Sequence, residues 1–250
     1  MAMDTRSSWL RRYETEAPPR MRLLCLPHAG GSAGFFHKWR AAFGDDVEVL
    51  AARYAGRQER IAEEPLTDLE EIADAISADL LPYLDVPLAI FGHSMGAAVG
   101  YEIAIRLQAR HHVVPELLMV SCCKAPHLRT PREAGFGTDE ELLAEVVRLG
   151  GTDAVLLEDP DLRELILPAI RADFTAVARY TARHGVPLAC PVVGYVGDND
   201  PDITAAHVAG WADIAPKGFD FRVLPGGHFY LVDQRDALVE DIRARLAPQR

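Results

Sequence analysis

The chain has 250 residues, 49% of them hydrophobic and 25% charged, an ordinary balance that suits one sizeable α/β domain with a large core. Its formal net charge of −11 at pH 7 argues against nucleic acid and anionic membrane surfaces as partners. No apolar run approaches the ~18 residues of a membrane span, and the opening MAMDTRSSWLRRYETEAPPR has no apolar signal core, so a soluble cytoplasmic protein is expected.

In chain order, a β-type run at Arg22–Leu26 is followed by a glycine-rich loop and a helical pattern over Ala33–Phe43. A second strand, Val47–Ala51, precedes a helix predicted over Asp68–Leu84, where Leu69, Ile72, Ala73, Ile76, Leu80 and Leu84 recur at helical spacing. Strand Leu88–Phe91, helix Met95–Ala109 and strand Leu117–Ser121 continue the alternation. Strands at Val192–Val196 and Phe221–Leu224 and a closing helix, Asp236–Leu246, complete it. Such alternation implies a mostly parallel central sheet flanked by helices, within a single domain spanning residues 1–250.

One interval breaks the rhythm. Between about residues 125 and 186 there is no convincing strand, and ~60 residues is too long for a simple crossover. Thr138–Leu149 reads as one helix. A second carries Leu162, Leu165, Ile166, Ala169, Ile170, Phe174 and Val177 as a stripe, with Pro168 expected to kink it. The interval is read as a helical lid over the carboxyl ends of the strands, where open α/β sheets place their ligand sites. Four cysteines (Cys25, Cys122, Cys123, Cys190) lie in or beside apolar runs with neither metal-ligand spacing nor a CxxC, so buried free thiols and no metal are expected.

The segment AIFGHSMGAAVG, residues 89–100, holds the chemistry. GHSMG matches G-x-S-x-G between a predicted strand and a predicted helix, the context of a nucleophile elbow at Ser94. Glycines two residues either side remove side chains that would collide with neighbouring backbone. Taken alone, the pentapeptide is equally a serine capping a helix.

A serine hydroxyl needs a base, and the base an orienting acid. Of nine histidines, His228 stands in VLPGGHFYLVD, in a glycine-turned loop after the last strand. His93 is beside Ser94 in the turn, His111 and His112 end a helix, His184 sits in the lid, and His28 follows the first strand; these read as packing or solvated residues. For the acid, VVGYVGDND offers Asp198, Asp200 and Asp202. Asp200 is preferred three residues beyond the strand-ending Gly197, with Asp198 as competitor, and all three also suit a turn. The order Ser94, Asp200, His228 is that of the α/β-hydrolase triad.

Attack on a carbonyl makes an oxyanion that needs preorganised N–H donors. One is expected from the backbone of Met95. The other is expected from LCLPHAGGSAGFF, at Ala29, with Gly30 as the near alternative. A phosphate-binding reading of that loop fails for want of a Walker lysine or a GxGxxG.

With these pieces in view, the chain resembles the type II thioesterases of polyketide and nonribosomal peptide assembly lines over nearly its whole length. The resemblance rests on SSWLRRYE, LPHAGGSAGFFHKW, YAGRQERIAEEP, FGHSMGA, GDNDPDIT with Trp211, and LPGGHFYL. Ala55 departs from the proline that many relatives carry before Gly-Arg, which bears on loop stiffness. The resemblance implies an α/β-hydrolase fold and a discrete hydrolase that removes aberrant or stalled acyl units from phosphopantetheine arms of acyl or peptidyl carrier domains. It assigns Ser94, Asp200 and His228 as catalytic and Ala29 and Met95 as oxyanion donors. No cofactor is implied, since the phosphopantetheine belongs to the partner. An acidic enzyme would meet acidic carriers through an apolar or locally basic rim, for which Lys124, Arg129 and Arg132 are candidates, although each reads first as solvated surface charge. Other readings of the same triad are a small-molecule carboxylesterase or lipase and a chain-releasing thioesterase; from a different class, a non-catalytic binding protein of the same fold. The intact triad argues against the last, and the lack of a fused carrier domain favours a free-standing editor.

Overall fold

In the computed structural model, which describes residues 9–129, 137–150, 159–181 and 185–248, the β-type runs form seven strands. They are β1 (Leu10–Tyr13), β2 (Met21–Leu26), β3 (Val47–Ala52), β4 (Leu88–His93), β5 (Leu117–Ser121), β6 (Val192–Gly197) and β7 (Phe219–Leu224). Helices α1 (Arg40–Phe43), α2 (Leu69–Leu80), α3 (Met95–Arg106), α4 (Asp139–Leu149), α5 (Pro160–Arg179), α6 (Ala205–Ala209), α7 (Tyr230–Asp233) and α8 (Arg235–Leu246) pack on the sheet or over its end.

The strand order is β1-β3-β2-β4-β5-β6-β7. Every pair is parallel except β1 with β3, which runs antiparallel from Leu10↔Ala52 to Tyr13↔Val49. Parallel strands covered on both faces are continuous hydrophobic runs, and every residue of β2, β3, β4, β5 and β6 is buried. Alternate residues divide between two cores. Leu24, Leu26, Leu50, Ile90 and Val120 meet α2 and α3 on one face. Leu23, Cys25, Val49, Phe91 and Met119 meet Phe36, Trp39, Phe43 and the apolar side of α8 on the other.

The topology also says where a ligand site belongs. From β2 the chain steps outward to β3, then returns across to β4 and advances to β7. The reversal lies between β2 and β4, and the loops at the carboxyl ends of those two strands flank the switch-point crevice. They carry the glycine loop and Ser94.

Several elements differ from the sequence reading. Strand β1 is an addition to the expected set, because only Leu10 and Tyr13 of its four residues point inward and two arginines lie between them. The helical pattern at 33–43 divides into a 3-10 segment, Ala33–Trp39, and the single turn α1. Helix α2 starts after Asp68, whose carboxylate accepts the Glu70 and Glu71 N–H groups, an N-cap that stops the helix from beginning earlier. Helix α5 starts at Pro160 behind the Asp159 cap and runs on through Pro168 to Arg179 as one helix. A proline removes one helical hydrogen bond without ending the helix here, and the turn that follows it is buried at Ala169, Ile170, Ala172 and Asp173. Leu142 and Val146 of α4 join Leu167 and Ile170 of α5 in a small separate cluster. Of the interval read as a lid, residues 130–136, 151–158 and 182–184 lie outside the described residues, including Arg132 and His184.

Candidate active site

At the end of β4 the backbone turns sharply into α3, and Ser94 takes φ +55° and ψ −113°. This is the left-handed region that non-glycine residues seldom enter, and such strain persists only where the surroundings over-determine it. Those surroundings are visible. Ser94 N–H donates to the Ser121 carbonyl at 2.8 Å, tying the turn to the end of β5. A Cβ on Gly92 would lie 2.1 Å from the Gly96 carbonyl oxygen, and one on Gly96 2.1 Å from that of Leu26. Any larger residue at either position would push the elbow off the sheet.

Serine as a helix cap is excluded by the hydrogen bonds, since the Ser94 side chain makes no capping contact. Its Oγ lies 3.0 Å from His228 Nε2, and His228 Nδ1 lies 2.7 Å from Asp200 Oδ2. The other carboxylate oxygen, Oδ1, accepts the N–H groups of Asp202 and Ile203, each at 2.9 Å. Burial pushes the Asp200 pKa up. The hydrogen bond and charge of His228, with the two backbone donors, outweigh this and hold it below the ordinary carboxylate value. An ionised carboxylate only accepts, so Nδ1 carries the proton and the Nε2 lone pair faces the serine hydroxyl. Asp198 instead accepts the Gly226 N–H at 2.9 Å, joining the β6 loop to the loop that bears His228. Asp202 pairs with Arg148 of α4 at 2.6 Å.

Two further imidazoles stand behind this row. His93 is fully buried, with Nδ1 2.9 Å from Ser121 Oγ, which in turn meets the Tyr230 hydroxyl at 2.8 Å. The His93 ring centre is 5.2 Å from that of His228 and 5.8 Å from that of His28, whose edge packs on Phe229 at 4.6 Å. Burial drives the pKa of His28 down to about 3 and that of His93 well below its usual value. Both are neutral packing groups, and among the histidines of the described residues only His228 is bonded to the Ser94 hydroxyl.

Cys122, at φ +47°, places its sulfur 3.4 Å from the His228 carbonyl oxygen and close to Asp200. These three residues are near enough to enclose a cation. Burial and the Asp200 charge push the thiol pKa well up, however, and a metal would require the thiolate. Asp200 and His228 are also already committed to each other, so the cluster reads as packing. All four cysteines are buried and free.

The glycine loop sits directly on the elbow, since a Gly96 Cβ would also lie 2.7 Å from the Pro27 carbonyl oxygen. Its turn closes with Gly31 N–H to the His28 carbonyl at 2.9 Å, and Gly30 adopts φ +78°. Of the two donors considered there, the Gly30 N–H is occupied by Asp173 Oδ2 at 2.7 Å. The Ala29 N–H has no protein acceptor among the described residues. Met95 is the first residue of α3, where a backbone N–H has no acceptor within the helix.

Asp173 escapes the sequence reading. It belongs to α5 and is gripped by both arms of the Arg57 guanidinium, at 2.6 and 2.8 Å. A signal exists in the sequence, because Asp173 lies three residues after Ile170 and four before Val177, a carboxylate on an otherwise apolar stripe. Of the basic candidates for a docking rim, Arg129 instead serves α5, donating to the Val177 carbonyl at 3.2 Å and lying 5.5 Å from the Tyr180 ring centre.

A serine hydroxyl on a strand-to-helix elbow, facing imidazole and buried carboxylate at the carboxyl end of a parallel sheet, makes this an α/β hydrolase by architecture. Within that class the chain belongs to the thioesterase family, whose thioesterase domain matches residues 21–246. It is 42% identical over 239 residues to the thioesterase PikA5 of Streptomyces venezuelae, covering 95% of this chain and 85% of that protein. It is 31% identical over 248 residues to the gramicidin S biosynthesis protein GrsT of Aneurinibacillus migulanus, covering 97% of each. The solved structure of BorB, the type II thioesterase from the borrelidin biosynthetic cluster, superposes with a TM-score of 0.88 at 40% identity, covering 96% of this chain and 98% of that one. The fold expected from the sequence, a mostly parallel sheet flanked by helices, is the one observed.

Proposed function

We propose that this thioesterase hydrolyses acyl thioesters on the phosphopantetheine arms of acyl or peptidyl carrier domains, clearing aberrant or stalled units from a polyketide or nonribosomal peptide assembly line. The observation that carries the reading is the continuous row Ser94 Oγ, His228, Asp200, at 3.0 and 2.7 Å, in a chain similar to a gramicidin S biosynthesis protein and to a type II thioesterase of the borrelidin biosynthetic cluster.

In this reading His228 Nε2 takes the Ser94 proton as Oγ attacks the thioester carbonyl carbon. The tetrahedral oxyanion rests on the N–H groups of Met95 and Ala29. Collapse breaks the carbon–sulfur bond, and the imidazolium returns its proton to the leaving thiol. Water, deprotonated by the same nitrogen, then attacks the acyl-serine, and a second collapse releases the acid and restores the hydroxyl. Asp200 stays ionised throughout, orienting His228 and stabilising its cation. The chain acts as one domain, with the insertion at about 125–186 as a lid that shapes the acyl chamber and the entrance for the arm. The enzyme supplies no cofactor of its own. Its proposed place of work is the cytoplasm beside a synthase; among the described residues no helix is long and apolar enough to cross a membrane.

Hydrolysis rates should be compared for one acyl group on a carrier protein, on coenzyme A, on N-acetylcysteamine and in a simple ester. The carrier-bound thioester is expected to turn over with the highest kcat/KM. Faster hydrolysis of the simple ester, with no carrier-bound turnover, would establish a carboxylesterase instead.

A further inference from the structure

The donor loop is soft by composition. Gly30 and Gly31 adjoin, and glycines surrender more backbone freedom on ordering than any other residue. An oxyanion site is effective only if its donors are already in place when charge develops. Something other than the loop must therefore hold it, and the contacts identify what does.

Helix α5 presents Ile170 and Asp173, one turn apart, to this loop. Ile170 Cγ1 lies 3.1 Å from where a Gly30 Cβ would stand. Asp173, 1% exposed, accepts the Gly30 N–H at 2.7 Å while Arg57 engages both of its oxygens. The same guanidinium donates to the Gly31 carbonyl at 2.9 Å and lies 5.3 Å from the Tyr54 ring centre. One ion pair thus fixes an N–H and a C=O of consecutive residues, immediately after Ala29. Stability alone is a poor account of such a pair, because buried ion pairs seldom stabilise more than apolar residues of equal volume.

We infer that Asp173 is a positioning residue: locked by Arg57, it pins Gly30 so that the Ala29 N–H stays directed at the oxyanion. The donor site is then completed by the insertion and not by the sheet alone. This rests on the proposed roles of Ser94 and Ala29.

The test compares the parent enzyme with Asp173→Ala and with the double variant Asp173→Leu/Arg57→Met, which leaves no charge unpaired and carries the test if the single variant does not fold. The substrate is an N-acetylcysteamine thioester. The inhibitor is an alkyl trifluoromethyl ketone, whose serine adduct imitates the tetrahedral oxyanion. In each folded variant kcat should fall roughly 10- to 100-fold while KM stays within about threefold. The inhibitor should weaken by a factor similar to the loss in kcat. If the double variant regains parental kcat and inhibitor affinity, Asp173 merely neutralises Arg57 and the inference is overturned. Ser94→Ala run alongside separates the two claims. Sustained turnover there defeats the nucleophile assignment itself, whereas an inert Ser94→Ala with a fully active double variant defeats only the positioning role.

Discussion

The elbow and the insertion are held in place by very different means. Around Ser94, strands buried along their whole length, two close-approach glycines and a backbone tie to Ser121 leave the turn no alternative. The α4–α5 pair meets in a cluster of four buried residues and in exposed ion pairs such as Arg163–Glu140 at 3.1 Å, and α5 is tied to the rest of the chain by the buried Asp173–Arg57 pair. The two helices also leave Val147 and Leu165 half in solvent. A buried aliphatic side chain contributes about 1.5–3 kcal/mol, an exposed ion pair about 0–1 kcal/mol. On the proposed mechanism the bond-making groups are built into the buried sheet, and the insertion proposed to shape the acyl chamber packs α4 against α5 on thinner support. Such a division lets pocket shape vary with little penalty to the reacting centre.

The sharpest way to probe this contrast is to strike the elbow itself. Ser94→Ala should lower thioester hydrolysis about 10⁴- to 10⁶-fold with the melting temperature nearly unchanged; a variant retaining more than ~1% of parental kcat would break the assignment. Next in size is a matched pair of core substitutions. Leu24 in β2 and Leu142 in α4 are both fully buried. Leu24→Ala should cost about 3–5 kcal/mol in urea unfolding, because the close-packed sheet cannot collapse around the cavity. Leu142→Ala should stay near the lower end of the range, about 2 kcal/mol, and should alter acyl-chain preference more than stability. Equal losses of stability would show the insertion to be as tightly packed as the sheet.

A third probe is acid, and its effect falls on the sheet side. His28 and His93 have native pKa values far below the unfolded value of about 6.5. Below that value the unfolded chain binds protons that the native state refuses, so stability is full above ~6.5 and declines as pH falls toward the native values. Each histidine should therefore destabilise the fold progressively as pH falls below the unfolded value. Neither α4 nor α5 contains a histidine. His28→Phe should therefore flatten the pH dependence of urea unfolding, and an unchanged slope would mean His28 is not neutral in the fold.

What the bare sequence discloses follows the same division. Ser94, Asp200 and His228 are set by local rules, each at a strand end followed by a turn, and local rules survive without coordinates. Preferring Asp200 over Asp198 rests on one such rule, and only Asp200 is bonded to His228. The Arg57–Asp173 pair cannot be found that way, because 116 residues separate its members and one of them lies inside a helix. Strand β1 is illegible for a related reason, since its pairing with β3 is decided by the available sheet edge and not by its own four residues. His28 and His93 read as packing or solvated residues, and burial decides for packing. Their mutual approach behind His228 depends on how β2 and β4 lie side by side, which no local pattern encodes.

The spacing of the row at Ser94 has a bearing on how the folded protein is detected. Ser94 and His228 are 134 residues apart, and the hydroxyl gains its imidazole neighbour only after β4, β6 and β7 have taken their places in one sheet. In a nascent or misfolded chain Ser94 is an ordinary alcohol. If Ser94 is the nucleophile proposed above, labelling by a serine-directed fluorophosphonate should double as a count of correctly assembled molecules, reporting closure of the sheet with no substrate needed.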